Sequence, residues 1–285
     1  MRKFIISSLR GGSINLLDNE YFLLSNFDGQ TANQNDISMT TAAGFDGGFI
    51  NSAQAQPRSM SLELLVKSGV NVELAKRHIT QVIKPYQLIT FTLEQEGKTI
   101  VIEGTVEAFS MPRYQQGVAV VVDFLCAQPF WEDANNIQTV LADVINMHYF
   151  TEETDDGVWC FVEEGVPLGV YNFERQKSVV NDGDVAVGMT IEIVALGKVT
   201  NPIIYAEDGT YIGVNTTMEA NDKITISTHK RNKTIYKNGV NILDTIMAGS
   251  TWLQLYTGIN TFNFNSDNEE TDNCYFQIIY KQRYI

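Results

Sequence analysis

Three cysteines, six prolines and three histidines in 285 residues leave little material for a disulfide frame, a proline-rich linker or a metal cage. The cysteines, Cys126, Cys160 and Cys274, are odd in number and share no short spacing. Cys126 and Cys274 sit inside alternating apolar runs, so packed free thiols are expected, with a reducing cytoplasm as the place of synthesis. No apolar stretch approaches the roughly 18 residues that a membrane span needs. Met1–Ser8 has the basic start of a signal peptide, but its apolar run is very short and Gly11, Gly12, Asp18 and Glu20 follow, so no secretion signal is expected. Basic residues are scarce, 20 against 34 acidic ones, for a net charge of −14. Residues 1–135 hold 10 basic and 14 acidic residues (−4), and the remainder 10 and 20 (−10). Such a surface repels phosphates and anionic lipid, which argues against sequence-specific nucleic-acid binding and against membrane attachment.

What the chain does have is strand periodicity. Met60, Leu62, Leu64 and Val66 alternate with Ser61, Glu63 and Lys67, each block reading as a half-buried strand. Ile89, Phe91 and Leu93 repeat the pattern, Glu96-Gly97 breaks it, and Ile100–Ile102 resumes it as a hairpin. Val118–Cys126 is apolar on nearly both faces and reads as a central or covered strand. One helix interrupts: Asn71 is a good N-cap, Val72, Ala75, Ile79 and Val82 share a face, and Pro85 stops a helix over 71–84. The later sequence is rich in turn dipeptides, Asp182-Gly183, Asp208-Gly209 and Asn238-Gly239, which suit primed hairpin turns. Between them run Met189–Ala195, Ile224–Thr228, Thr234–Tyr236, Trp252–Tyr256 and Tyr275–Tyr280, a pattern that predicts an antiparallel sandwich. The acidic stretch Asn265–Asn273 reads as a flexible tip.

The two blocks meet at Ala127–Asp133. Pro129 removes a donor there, and Phe130 and Trp131 are too large to leave in water. Pro129, Phe130 and Trp131 are therefore candidates for an interface or hinge at the exit of the first module. The fold expected is all-β with one α-helix. An N-terminal β-sandwich-like domain spans 1–135 and carries helix 71–84, and a C-terminal β-sandwich spans 136–285.

Chemistry is thinly represented. His78 lies on the helix, His148 near the junction and His229 in a polar run, and no metalloprotease, nucleophile-elbow or phosphate-loop motif occurs. No catalytic residue, metal site or cofactor is expected. The acidic clusters Glu152–Gly157 and Asp267–Asp272 do not match a calcium-loop spacing and read as solvated turns. A glycan-cleaving enzyme would need a carboxylate pair in a cleft. Glu163 and Glu164 are neighbours, which a strand points to opposite faces, so they make a poor pair. Trp159, Trp252 and Tyr256, with Tyr205 and Tyr211, raise a stacking platform for sugar rings against the plainer reading of core or interface aromatics.

Taken together, several strings are similar to one family. Asp46–Ile50, Pro57–Leu62 and the closing Gln128–Trp131 resemble the N-terminal module of distal tail proteins (Dit) of long-tailed, non-contractile phages and prophages. Gly197–Pro202, Tyr236–Asn241 and Leu253–Asn260 resemble that family's C-terminal module. The resemblance implies a homo-hexameric ring at the virion tail tip (baseplate), made in the bacterial host cytoplasm, through whose centre DNA passes. It implies a galectin-like or carbohydrate-binding-module-like C-terminal sandwich. It also implies the tail tube protein, a tail-tip protein with a lysin domain and receptor-binding proteins as partners, and no enzymatic activity. The alternative is a carbohydrate-binding adhesion module that recognises host cell-wall glycans, for which Trp159, Trp252 and Tyr256 would supply the stacking faces.

Overall fold

The computed structural model describes residues 2–29, 34–44, 46–111, 119–140, 142–145, 170–173, 176–267 and 274–285, with backbone only at 139–145 and 170–173. His148, Glu152–Gly157, Trp159, Cys160, Glu163, Glu164 and most of the acidic stretch 265–273 lie outside the described residues. The described residues are mainly β with one α-helix. By contact it divides into two compact units, Met1–Asn135 with Gln282–Ile285, and Asn136–Lys281.

The first unit runs β1 (Lys3–Ser8), β2 (Gly12–Asn15), β3 (Phe22–Asp28), β4 (Asn35–Thr40), β5 (Phe49–Ala55), β6 (Arg58–Val66), α1 (Val72–Val82), β7 (Leu88–Gln95), β8 (Lys98–Ser110), β9 (Ala119–Cys126) and β10 (Trp131–Asp133). Its main sheet has the order β2-β1-β7-β8-β9-β6-β3, all neighbours antiparallel. Alternation works as the sequence predicts: Met60, Leu62 and Leu64 of β6 and Val120, Val122, Phe124 and Cys126 of β9 are buried on one face. The β9 strand is central, between β8 and β6, which accounts for its apolar character. Phe91 and Phe124 meet edge to face at 4.8 Å within this core. Glu96 and Gly97 both take positive φ, 53° and 82°, and close the β7–β8 hairpin as a tight primed turn.

The helix is capped as predicted. The Asn71 side chain accepts from the Glu73 and Leu74 amides at 2.9 and 3.4 Å, and Ala75, Ile79 and Val82 are buried. It ends at Val82, two residues before the predicted limit of 84. Lys84 precedes Pro85, and the proline ring disfavours helical geometry at the residue before it. The chain's last strand belongs to this unit as well: Trp131 and Glu132 pair with Tyr284 and Arg283, and Arg283 holds Glu132 at 2.6 Å. Residues 282–285, grouped with the second block in the sequence reading, are thus held by a cross-strand ion pair that no local pattern announces.

The second unit contains β11 (Ile137–Val140), β12 (Ala142–Ile145), β13 (Val170–Phe173), β14 (Gln176–Asn181), β15 (Thr190–Ala195), β16 (Val199–Thr200), β17 (Ile203–Ala206), β18 (Tyr211–Gly213), β19 (Thr217–Met218), β20 (Lys223–His229), β21 (Asn232–Lys237), β22 (Val240–Asn241), β23 (Gly258–Asn265) and β24 (Cys274–Tyr280). One sheet has the order β11-β24-β15-β20-β21-β22 and another β14-β23-β17-β18, with the short pairs β12-β13 and β16-β19 besides. Inward residues of both larger sheets, including Ile191, Ile226 and Phe276 from the first and Val179, Ile204 and Phe262 from the second, enter one apolar cluster.

Two expectations need correction here. Asp182-Gly183 is not a hairpin turn, because β14 and β15 belong to different sheets. Asn181 organises the connection instead: its side chain donates to the Val185 and Leu255 carbonyls and accepts from the Gly183 amide. Trp252–Tyr256 is not a ladder strand either; within it only Leu255 forms a bridge, to Val187. Leu253 and Leu255 are buried while their neighbours are not, so the alternation there records burial of an extended segment without strand pairing.

Candidate functional site: an exposed arm and an aromatic groove

Among the described residues, the strands β4 and β5 pair only with each other. Every described residue from 34 to 57 is exposed. The ladder is closed at its base by the Gln56 amide donating to the Gln34 carbonyl at 2.9 Å. Ile37 lies opposite Ala53 and Met39 opposite Ile50, with a bulge at Asn51 between Ser52 and Ile50. Because directly opposed residues share a face and successive residues alternate, Asn35, Ile37, Met39, Ile50, Ala53 and Ala55 form one mostly apolar face. Asp36, Ser38, Thr40, Ser52 and Gln54 form a mostly polar one, with Phe49 on the same side. Ile37, Met39 and Ile50 are 57%, 59% and 67% exposed.

The base of this arm is pinned to the first unit. The Gly29 carbonyl, one residue after β3, accepts from the buried Arg58 Nη1 at 2.7 Å and from the Trp131 indole at 3.2 Å. A Cβ at Gly29 would stand 2.8 Å from Met60 Cγ and 3.0 Å from Phe27 Cζ, so glycine permits the close packing. Among the described residues Arg58 Nε and Nη2 find no hydrogen-bond partner, and burial pulls the guanidinium below its ordinary pKa. Burial pushes the neighbouring Cys126 thiol up to about 11, leaving it inert.

In the second unit a groove of about 400 Å³ opens between the β17–β18 turn, the segment 251–256 and β23. Trp252, Tyr256 and Ile259 supply apolar wall; Glu207, Asp208 and Gln254 supply polar groups. Gly209 takes the positive φ its sequence announces, 80°, but Asp208 does not share it and the Gly209 amide bonds to the Ala206 carbonyl, so the turn is not the primed type expected. Asp208 accepts from the Thr210 amide at 2.9 Å and hydroxyl at 2.6 Å, bonds that draw its carboxyl below the ordinary value.

Residues 182–284 match the family described as the siphovirus-type tail component, C-terminal domain. Over that stretch the chain is similar to a siphovirus-type tail component. The distal-tail resemblance of its sequence therefore stands. No curated protein matches the chain in sequence. In fold it is similar to the Dit protein of phage SPP1, described as a paradigm of the hub adsorption apparatus in phages that infect Gram-positive bacteria. The likeness has a TM-score of 0.67 at 17% identity and covers 99% of each chain. Against the phage P2 baseplate in its activated conformation with calcium, identity is 13% over the whole of both chains, with a TM-score of 0.45.

Of the residues singled out from sequence, the tail-component domain brings Trp252 and Tyr256 to one groove; Trp159 lies outside the described residues. Tyr205 and Tyr211 face each other across the β17–β18 pair, 5.5 Å apart. In the first unit, Trp131 is 2% exposed and belongs to that unit's own core, while Pro129 is buried and Phe130 half-buried. His78 stacks on Tyr21 at 4.5 Å, and His229 lies 3.5 Å from the Thr190 hydroxyl. The arm was missed altogether. Its only signal was the short alternation Asp36-Ile37-Ser38-Met39-Thr40 against the alanine-rich return Ala53–Ala55.

Proposed function

We propose that this chain is a structural hub subunit of a phage or prophage tail tip, a non-enzymatic distal tail protein that closes into a homo-hexameric ring. The ring joins the tail tube protein to the tail-tip and receptor-binding proteins and lets DNA pass through its centre. The observation that carries this reading is the arm. A two-stranded hairpin is marginal in water by itself, and one with an uncovered apolar face needs a surface to lie on. Identical subunits arranged head to tail supply such a surface once each, and a rotation that closes yields a ring. The tail-component family match and the likeness to a hub protein support the placement. The net charge of −14 suits a conduit that must release phosphate.

The test is a double substitution on the arm, Met39→Ser with Ile50→Ser, followed by light scattering and negative-stain microscopy. The wild type is expected as six-fold particles with an open centre. The variant is expected as a protomer with an unchanged circular-dichroism spectrum. A wild type that stays monomeric at high concentration contradicts the reading, as does a variant that still forms rings.

A further inference from the structure

The groove of the tail-component domain has features the hub reading does not use. Its volume, about 400 Å³, falls in the range of small-ligand sites, roughly 300–1,000 Å³. Tyr256 is 60% exposed and Ile259 71% exposed, large apolar groups left at its rim. The loop bearing them is held rigidly: the Asn260 side chain accepts from the Tyr256 amide at 2.8 Å and donates to the carbonyls of Tyr256 and Gly258 at 2.7 and 3.0 Å. Asn260 itself is buried. A rim loop whose backbone is set before any ligand arrives lowers the ordering cost of binding. Lys233 stands 5.5 Å over the Trp252 ring, so Tyr256 is the more available stacking face.

The carboxylate residues Glu207 and Asp208 line the same groove. The Thr210 bonds favour the ionised form of Asp208, leaving it an acceptor at neutral pH. An aromatic face beside ionised acceptors matches a molecule that has one C–H face and an edge of hydroxyl donors. The same carboxylates, in a segment of charge −10 (10 basic and 20 acidic residues), repel phosphate and carboxylate ligands. We infer that this groove binds a neutral saccharide, stacked on Tyr256 with its hydroxyls donating to Asp208 and Glu207. This goes beyond the hub reading and does not depend on it.

The probe is a set of methyl glycosides of neutral sugars (glucose, galactose and N-acetylglucosamine), offered to the full chain and followed by saturation-transfer NMR, with glycerol phosphate as the anionic comparison. Transfer to the ring protons of at least one glycoside is expected, with none to glycerol phosphate. Tyr256→Ala and Asp208→Asn are each expected to weaken that binding about tenfold or more. Both side chains are exposed, so unchanged melting curves are expected to accompany the loss. The inference is overturned if no glycoside receives transfer, if glycerol phosphate binds instead, or if binding survives Tyr256→Ala. Ring formation by these variants, scored in parallel by light scattering, reports on the hub reading separately, since both positions lie in the second unit and not on the arm.

Discussion

At the scale of single residues, the clearest electrostatic feature is Asp222. Its carboxylate accepts from the Glu219 amide at 2.9 Å and from Asn238 Nδ2 at 2.7 Å, and it pairs with Lys237 Nζ at 2.9 Å. These donors, the amide first, lower its pKa from 3.8 to about 2. A carboxyl depressed by folding stabilises the fold above its unfolded value, and that contribution disappears as pH falls through the folded one. Thermal melts are therefore expected to lose stability between about pH 4 and pH 2, and Asp222→Asn is expected to reduce that slope. An identical slope in the variant would assign the acid sensitivity elsewhere. Asn238 joins this network while adopting φ 50° in the Asn238-Gly239 turn. The dipeptide was legible in the sequence as a turn, but the aspartate it recruits was not, because Asp222 is 16 residues away along the chain. Trp131 shows the same limit. A large aromatic after Pro129 reads as an anchor at the module's exit; its burial in the first unit's core and its indole bond to Gly29 are not announced by the local sequence.

At the scale of elements, helix α1 was the easiest to read, since cap, apolar stripe and proline stop all point to one answer. It rests on the first unit's core through Ile79, which is fully buried. Ile79→Ala is expected to cost about 2–5 kcal/mol, and Asn71→Ala about 0.5–2 kcal/mol through the two lost cap bonds, both measurable by urea denaturation. A neutral result for Ile79→Ala would mean that the helix does not pack as described. Strands with strong alternation, β6, β7, β9, β15, β20 and β24, were legible for the same reason. The arm was not, because pattern reading rewards apolar contrast that pays off within one chain. Among the described residues nothing covers its apolar face, and the alternation is short and includes two alanines, Ala53 and Ala55. The register of Trp252–Tyr256 misled for the converse reason: burial produces the alternation, and pairing is absent apart from Leu255.

At the scale of the whole molecule, what the sequence conveyed well was class and kind. The mainly-β fold with one helix and the kinship with phage tail components were both readable in it. The strings that carry the kinship mark the places where geometry is demanding. Asp46–Ile50 contains the arm's tip glycine Gly47 at φ 93°, and Pro57–Leu62 contains Arg58, which helps hold the arm's base. A face that finds no apolar counterpart within its own chain leaves no such record, which is why the arm was not legible. In the proposed ring, the face of β4 and β5 left uncovered among the described residues is buried by a second copy. Light scattering coupled to size exclusion on the purified wild-type chain decides this. A single species with the mass of six protomers is expected; a monomer that persists as concentration is raised would contradict the ring.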